Sequence, residues 1–157
     1  MKRVAGWCFV LGLSLGLCAA AVAGEAKAPA KKPAAKSGWT FLAAADVKFA
    51  EAEGVQGSQS ATLWGDMKKG AYGALVKWPA GFETPWHSHS HPIRAVVMQG
   101  TFTAEVKGEA IRELGPGSYL YDPGHSSHKS GCKAGGGECV FLITQSSAFD
   151  LIPDEKK

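Results

Sequence analysis

The residues best suited to chemistry lie between Gly81 and Gly100, in the stretch GFETPWHSHSHPIRAVVMQG. His87, His89 and His91 stand there at i, i+2 and i+4, a spacing that in an extended strand projects imidazoles from one face into one small volume. That is metal-ligand geometry, and imidazole suits zinc, copper, iron and nickel. A further candidate, His128, follows in a second stretch punctuated by glycine and proline, whereas His125, in the turn DPGHSSH, reads as a loop residue. These residues argue for one divalent transition metal more strongly than for any particular substrate.

The elements that must position them come late in the chain. Lys2 and Arg3 precede an almost wholly apolar run from Val4 to about Ala20, and Ala21-Val22-Ala23 supplies small residues before Gly24. Residues 1–23 therefore read as a signal peptide cleaved after Ala23, because the run is short for a membrane anchor and carries no stop-transfer pattern. Bulky Leu17 before Cys18 argues against lipidation. Export predicts a periplasmic or secreted protein, with no membrane attachment once the leader is gone. Residues 24–38, rich in Ala, Lys and Pro, read as a disordered tether. Loss of Lys2 and Arg3 leaves 15 basic against 14 acidic residues, a balance that gives no reason to expect a nucleic-acid or anionic-membrane partner.

The rest, residues 39–157, is enough for one domain with its own core. Alternation is of strand type: Tyr72, Ala74, Val76 and Trp78 share one face, as do Phe102, Ala104 and Val106. Val140 to Thr144 reads as a buried strand, and KKG, QG, KGE, GPG, DPG and AGGG as turns between such runs. Helical character is confined to a weak pattern over Phe41 to Glu53. Short strands at this spacing predict an all-β sandwich or barrel. Cys132 and Cys139, the cysteines that remain after cleavage, flank a glycine-rich turn and most simply form a disulfide in an exported protein; the rival is a Cys132 thiolate aimed along the strand face of His128.

Two motifs give the chain a family resemblance. Gly81, five residues, His87, one residue, His89 and a closing Gly100 resemble the first motif of the cupin superfamily, and Gly117, five residues, Pro123, then His128 resemble the second. Within the superfamily the likeness extends to a poorly characterised subgroup, through Pro85 to Ser90, Arg94 to Val97, Pro116 to Tyr119, and Pro123-Gly124. The resemblance implies a single cupin-type β-barrel, a double-stranded β-helix or jelly roll, with the metal near the barrel axis, a small-molecule ligand or substrate, and pairing into a homodimer through outer strands. It also implies His87, His89 and His128 as metal ligands.

The departures are informative. Metal-binding cupins usually place a glutamate about four residues after the second histidine; here Ile93 stands there, with no carboxylate nearby in the sequence. His125 replaces a motif glycine and Cys132 a terminal asparagine. Water, His91 or nothing then takes the place of the missing glutamate. Arg94 reads either as a surface salt-bridge residue or, if a bend at Pro92 changes the strand's facing, as an inward counter-charge for an anionic substrate, and Tyr121 either as barrel wall or as a phenolic donor; in the second reading these two are the candidate catalytic side chains. Three histidines with open positions resemble both cupin dioxygenases and hydrolytic zinc sites. The leading expectation is thus an exported mononuclear metalloenzyme, oxygenase-like or hydrolytic, acting on a small organic substrate. The alternative is a non-catalytic periplasmic cupin that binds a metal or a small ligand.

Overall fold

The alternation at Tyr72–Trp78 forms a strand because its odd and even faces differ in fate: Tyr72, Ala74, Val76 and Trp78 are buried, while Leu75 and Lys77 remain half-exposed. A computed structural model describes residues 38–154; the expected leader over 1–23 and the tether over 24–38, apart from Gly38, lie outside the described residues. Eleven strands follow in chain order: β1 (Ala50–Glu51), β2 (Gln59–Gly65), β3 (Tyr72–Trp78), β4 (His87–Ser88), β5 (Ile93–Gln99), β6 (Phe102–Val106), β7 (Arg112–Leu114), β8 (Tyr119–Asp122), β9 (His128–Cys132), β10 (Cys139–Gln145) and β11 (Ile152–Pro153). Where the sequence suggested helix, a single 3-10 turn, Ala44–Asp46, forms instead; its N-terminal residue Ala43 has no side chain able to cap it, and the following Ala50–Glu51 pairs with β2.

Two antiparallel sheets face each other. One runs β1-β2-β3-β10-β5-β8, the other β11-β4-β9-β6-β7. This is the double-sheet jelly roll, with the ladders meeting as two layers rather than as one continuous closed barrel. β10 is the spine of the larger sheet, paired along its whole length with β3 and over most of it with β5. The inward residues of both layers meet in an aromatic floor. Trp78 stacks on Phe102 of the opposite sheet at 5.4 Å and meets Phe141 edge-on at 4.7 Å, while its Nε1–H donates to Ser58 Oγ at 2.8 Å, so the buried indole keeps its one polar atom satisfied.

Cys132 at the end of β9 and Cys139 at the start of β10 are disulfide-bonded, which removes Cys132 from any metal-ligating role. The bond ties one sheet to the other across the AGGG turn. Among the described residues no helix is long and apolar enough to cross a membrane. A cross-link closing so short a loop restricts the unfolded chain modestly, so the Cys132→Ser/Cys139→Ser double variant is expected to lose about 2 kcal/mol of unfolding free energy in denaturant titration; no loss would mean that the turn is held by its neighbours alone.

Candidate metal centre

His87 and His128 are direct cross-strand partners in the smaller sheet. Opposed residues on adjacent strands hold their side chains close on one face, and these two rings lie 4.3 Å apart between centroids. His89, just beyond β4, brings its ring to 5.0 Å from His87 and 5.3 Å from His128. One ligand atom from each of the three histidines falls within 4.8 Å of the others. The i, i+2 spacing does what the sequence promised.

Each ring is oriented by a backbone carbonyl. His87 Nδ1 lies 2.8 Å from Pro85 O and His128 Nδ1 2.9 Å from Ser126 O, in both cases the carbonyl two residues upstream; His89 Nδ1 bonds Asp150 O, brought in from the segment after β10. A carbonyl only accepts, so all three Nδ1 atoms carry a proton, and in the neutral ring the lone pair is left on Nε2. Burial lowers the His87 pKa to about 4 and holds that of His89 below its ordinary value, since desolvation disfavours imidazolium. Burial thus favours neutral His87 and His89, the form in which histidine binds metal.

A carboxylate completes the group, and the sequence did not reveal it. Asp122 Oδ2 lies 3.7 Å from His128 Nε2 and 4.0 Å from His89 Nε2, on a side chain 11 % exposed. Its Oδ1 accepts the Gly124 N–H at 2.8 Å, but Oδ2 is buried without a hydrogen-bond partner. A buried carboxylate oxygen left unpaired beside two imidazole lone pairs is costly, and a divalent cation among them would relieve that cost. Asp122 pairs in register with Ile93, so the carboxylate stands directly across the sheet from the position where cupins usually carry glutamate. The signal available in sequence was the Asx-type turn DPG, which reads as structure and not as a ligand.

The remaining candidates lie elsewhere. Pro92 moves His91 out to the surface without resetting the strand: Ile93, Ala95 and Val97 stay buried, so Arg94 points outward. His91 is thus apart from the three-histidine group and contributes its backbone carbonyl, which accepts the Gln145 Nε2–H at 3.1 Å. Arg94 lies over the Tyr121 ring at 5.2 Å, and Tyr121 is 49 % exposed. The inward turn that the sequence left open to Arg94 does not occur, and neither it nor the Tyr121 phenol joins the histidines. His125 sits in the left-handed region at φ 56°, the conformation that explains a glycine at this motif position, and its N–H donates to His89 O at 2.7 Å.

The group opens into a cavity of about 820 Å³ lined by residues of both sheets, a size suited to a small organic molecule. The two facing sheets, the motif pair and the histidine group define the class: a cupin. More particularly, residues 20–151 match the family described as a domain of unknown function (DUF4437), and the chain belongs to that family. Similar solved structures include the polyketide cyclase RemF from Streptomyces resistomycificus (TM-score 0.64, 18% identity, 76% of this chain and 87% of that one). An RmlC-like cupin from Shewanella frigidimarina (0.56, 23%, 70% and 92%) and KdgF from Halomonas sp. (0.55, 23%, 68% and 94%) are also similar. No curated protein matches the sequence.

Because the folded-state pKa of His87 lies below the unfolded one, its contribution to stability is complete above the ordinary value of 6.5 and is lost as pH falls toward about 4. In the chelator-treated protein, lowering pH from about 7 to about 4.5 is expected to cost wild type roughly 2 kcal/mol more than His87→Gln in urea unfolding. Equal losses would show that burial does not hold His87 neutral.

Proposed function

We propose that this protein is an exported, mononuclear metal-dependent cupin that acts on a small organic substrate, with His87, His89 and His128 holding the ion through Nε2 and Asp122 supplying the anionic fourth donor. The observation that carries this reading is the unpartnered Oδ2 of Asp122, buried beside two Nε2 atoms whose lone pairs are fixed by backbone carbonyls. Three nitrogens and one carboxylate oxygen suit zinc, copper, iron or nickel. When bound, such an ion supplies Lewis acidity toward a substrate oxygen.

The chain's own residues prepare that site. The Nδ1–H bonds keep each imidazole in one tautomer and one orientation. Asp122 offers one oxygen, since Gly124 engages the other, and its charge offsets part of the cation's. Phe149, from the segment between β10 and β11, brings its ring to 5.5 Å from that of His89. Export is supported by the apolar leader and by the disulfide, which belongs to oxidising compartments.

Elemental analysis of the untagged protein is expected to find near-stoichiometric transition metal, lost in His87→Ala and in His128→Ala. Asp122→Asn is expected to act with opposite signs on two measurements: metal affinity falls about tenfold to a hundredfold, while the metal-free variant unfolds no more easily than wild type because an unpaired buried charge has gone. Metal content indifferent to the histidine variants would overturn the site, and metal bound with no turnover of any compound would make the protein a carrier rather than an enzyme.

A further inference from the structure

The charges around the cavity narrow what it can hold. The fixed charges lining it are Glu51, Glu53, Asp66, Lys68 and Asp122, and the lysine is ion-paired with Glu53. Four of these five are acidic. Arg94, one candidate counter-charge for an anionic substrate, lies on the outer face over Tyr121. An anionic group on a ligand body would therefore leave water for a wall without a counter-charge, and a buried charge without a partner is strongly disfavoured.

The walls are apolar where they are deepest. Val76, Trp78, Phe102, Phe141, Ile143 and Phe149 line the cavity from both sheets, and the first five are nearly fully buried in the protein itself. Two hydroxyls along the same wall are already engaged. Ser58 Oγ accepts the Trp78 Nε1–H, and the Thr84 hydroxyl both donates to Ser130 O and accepts the Ser130 N–H. The clustered imidazoles and the buried carboxylate oxygen without a partner lie together at the histidine and Asp122 end, so a matching ligand is polar at that end and apolar over the aromatic floor.

We infer that the cavity takes an uncharged, ring-bearing apolar molecule with a single oxygen-donor head, the head directed to the histidine and Asp122 group and the body lying on the Trp78–Phe102–Phe141 floor. The assignment of the head rests on the metal reading given above; that of the body rests on the cavity alone. A carboxylate carried on the body, away from the head, meets the same wall without a counter-charge.

Calorimetric titration of the metal-loaded protein with three compounds sharing one chelating head tests the inference: 2-hydroxyacetophenone, 1-hydroxy-2-acetonaphthone with its extra ring, and 3-acetyl-4-hydroxybenzoate with a carboxylate far from the head. The naphthyl compound is expected to bind about tenfold tighter than the phenyl one, and the carboxylate about tenfold weaker or less. A carboxylate that binds as tightly as its parent, or no saturable binding of the naphthyl compound, would overturn the inference. The chelator-treated protein separates the two readings, through 2-methylnaphthalene against 2-naphthoate, which carry no chelating head. Preference for the hydrocarbon in a protein that takes up no metal would retain the apolar cavity and sink the metal site, whereas preference for the naphthoate would overturn the ligand class whatever the metal content.

Discussion

Three imidazoles and a carboxylate are buried or largely buried between the sheets of a β-sandwich, and the surrounding structure is arranged around satisfying them. A buried polar group needs a partner, and here each imidazole finds it in a main-chain carbonyl. For His87 and His128 the carbonyl is supplied two residues upstream, by Pro85 and Ser126, so these rings are fixed locally as soon as their strands pair. His89 depends on Asp150, 61 residues away. Its orientation is set only when the segment after β10 docks, and the Asp150 carboxylate secures that segment by accepting the Ser90 N–H. Tautomer, ring orientation and tertiary closure are thus one event at His89 and separate events at the other two.

A second buried network secures the corner between β4 and β5. Tyr72 donates from its hydroxyl to Gln145 Oε1 at 3.1 Å, and Gln145 Nε2 donates to His91 O. Burial pushes the Tyr72 hydroxyl pKa well above its usual range, so it remains a donor at any ordinary pH. His91 is thereby held through its backbone while its ring is released to solvent, which is why Pro92 interrupts the pairing without changing the phase of β5. Ile93 can then remain inside and Arg94 outside.

Much of this was legible in the sequence and some was not, for definable reasons. β3 and β6 followed from apolar alternation and β10 from its continuous apolar run, because each sends side chains into the core. The two motifs brought His87, His89 and His128 together because local spacing and a cross-strand register both favour it. What escaped were relations set by pairing between distant segments. Asp122 stands 29 positions from Ile93 in the chain yet directly opposite it in the sheet, and no local pattern distinguishes that aspartate from an ordinary turn residue. Of the two facings open to Arg94 the outward one is taken, because a bend at proline can displace one residue and still preserve strand phase. The covered histidine in β4, by contrast, needed no more than its neighbours.

A carboxylate on β8 in place of one on β5 changes how the proposed site is held as well as which residue supplies it. The segment from Asp122 to His128 carries two of the four proposed donors, with Pro123 and Gly124 between them and His125 donating its N–H to His89 O. One turn therefore fixes Asp122 and His128 directly and His89 through its backbone. Gly124 is required there on two counts: it adopts φ 80°, and a Cβ on it would come within 3.1 Å of the His91 carbonyl carbon. His125 accepts the same left-handed conformation at a cost of roughly 1–2 kcal/mol, a strain that persists because its N–H is committed to His89. The glycine that cupins usually carry at that position would remove the strain, but the carboxylate, the histidine and the turn would still have to move together, and that coupling makes the β8–β9 connection part of the proposed metal centre rather than a linker beside it.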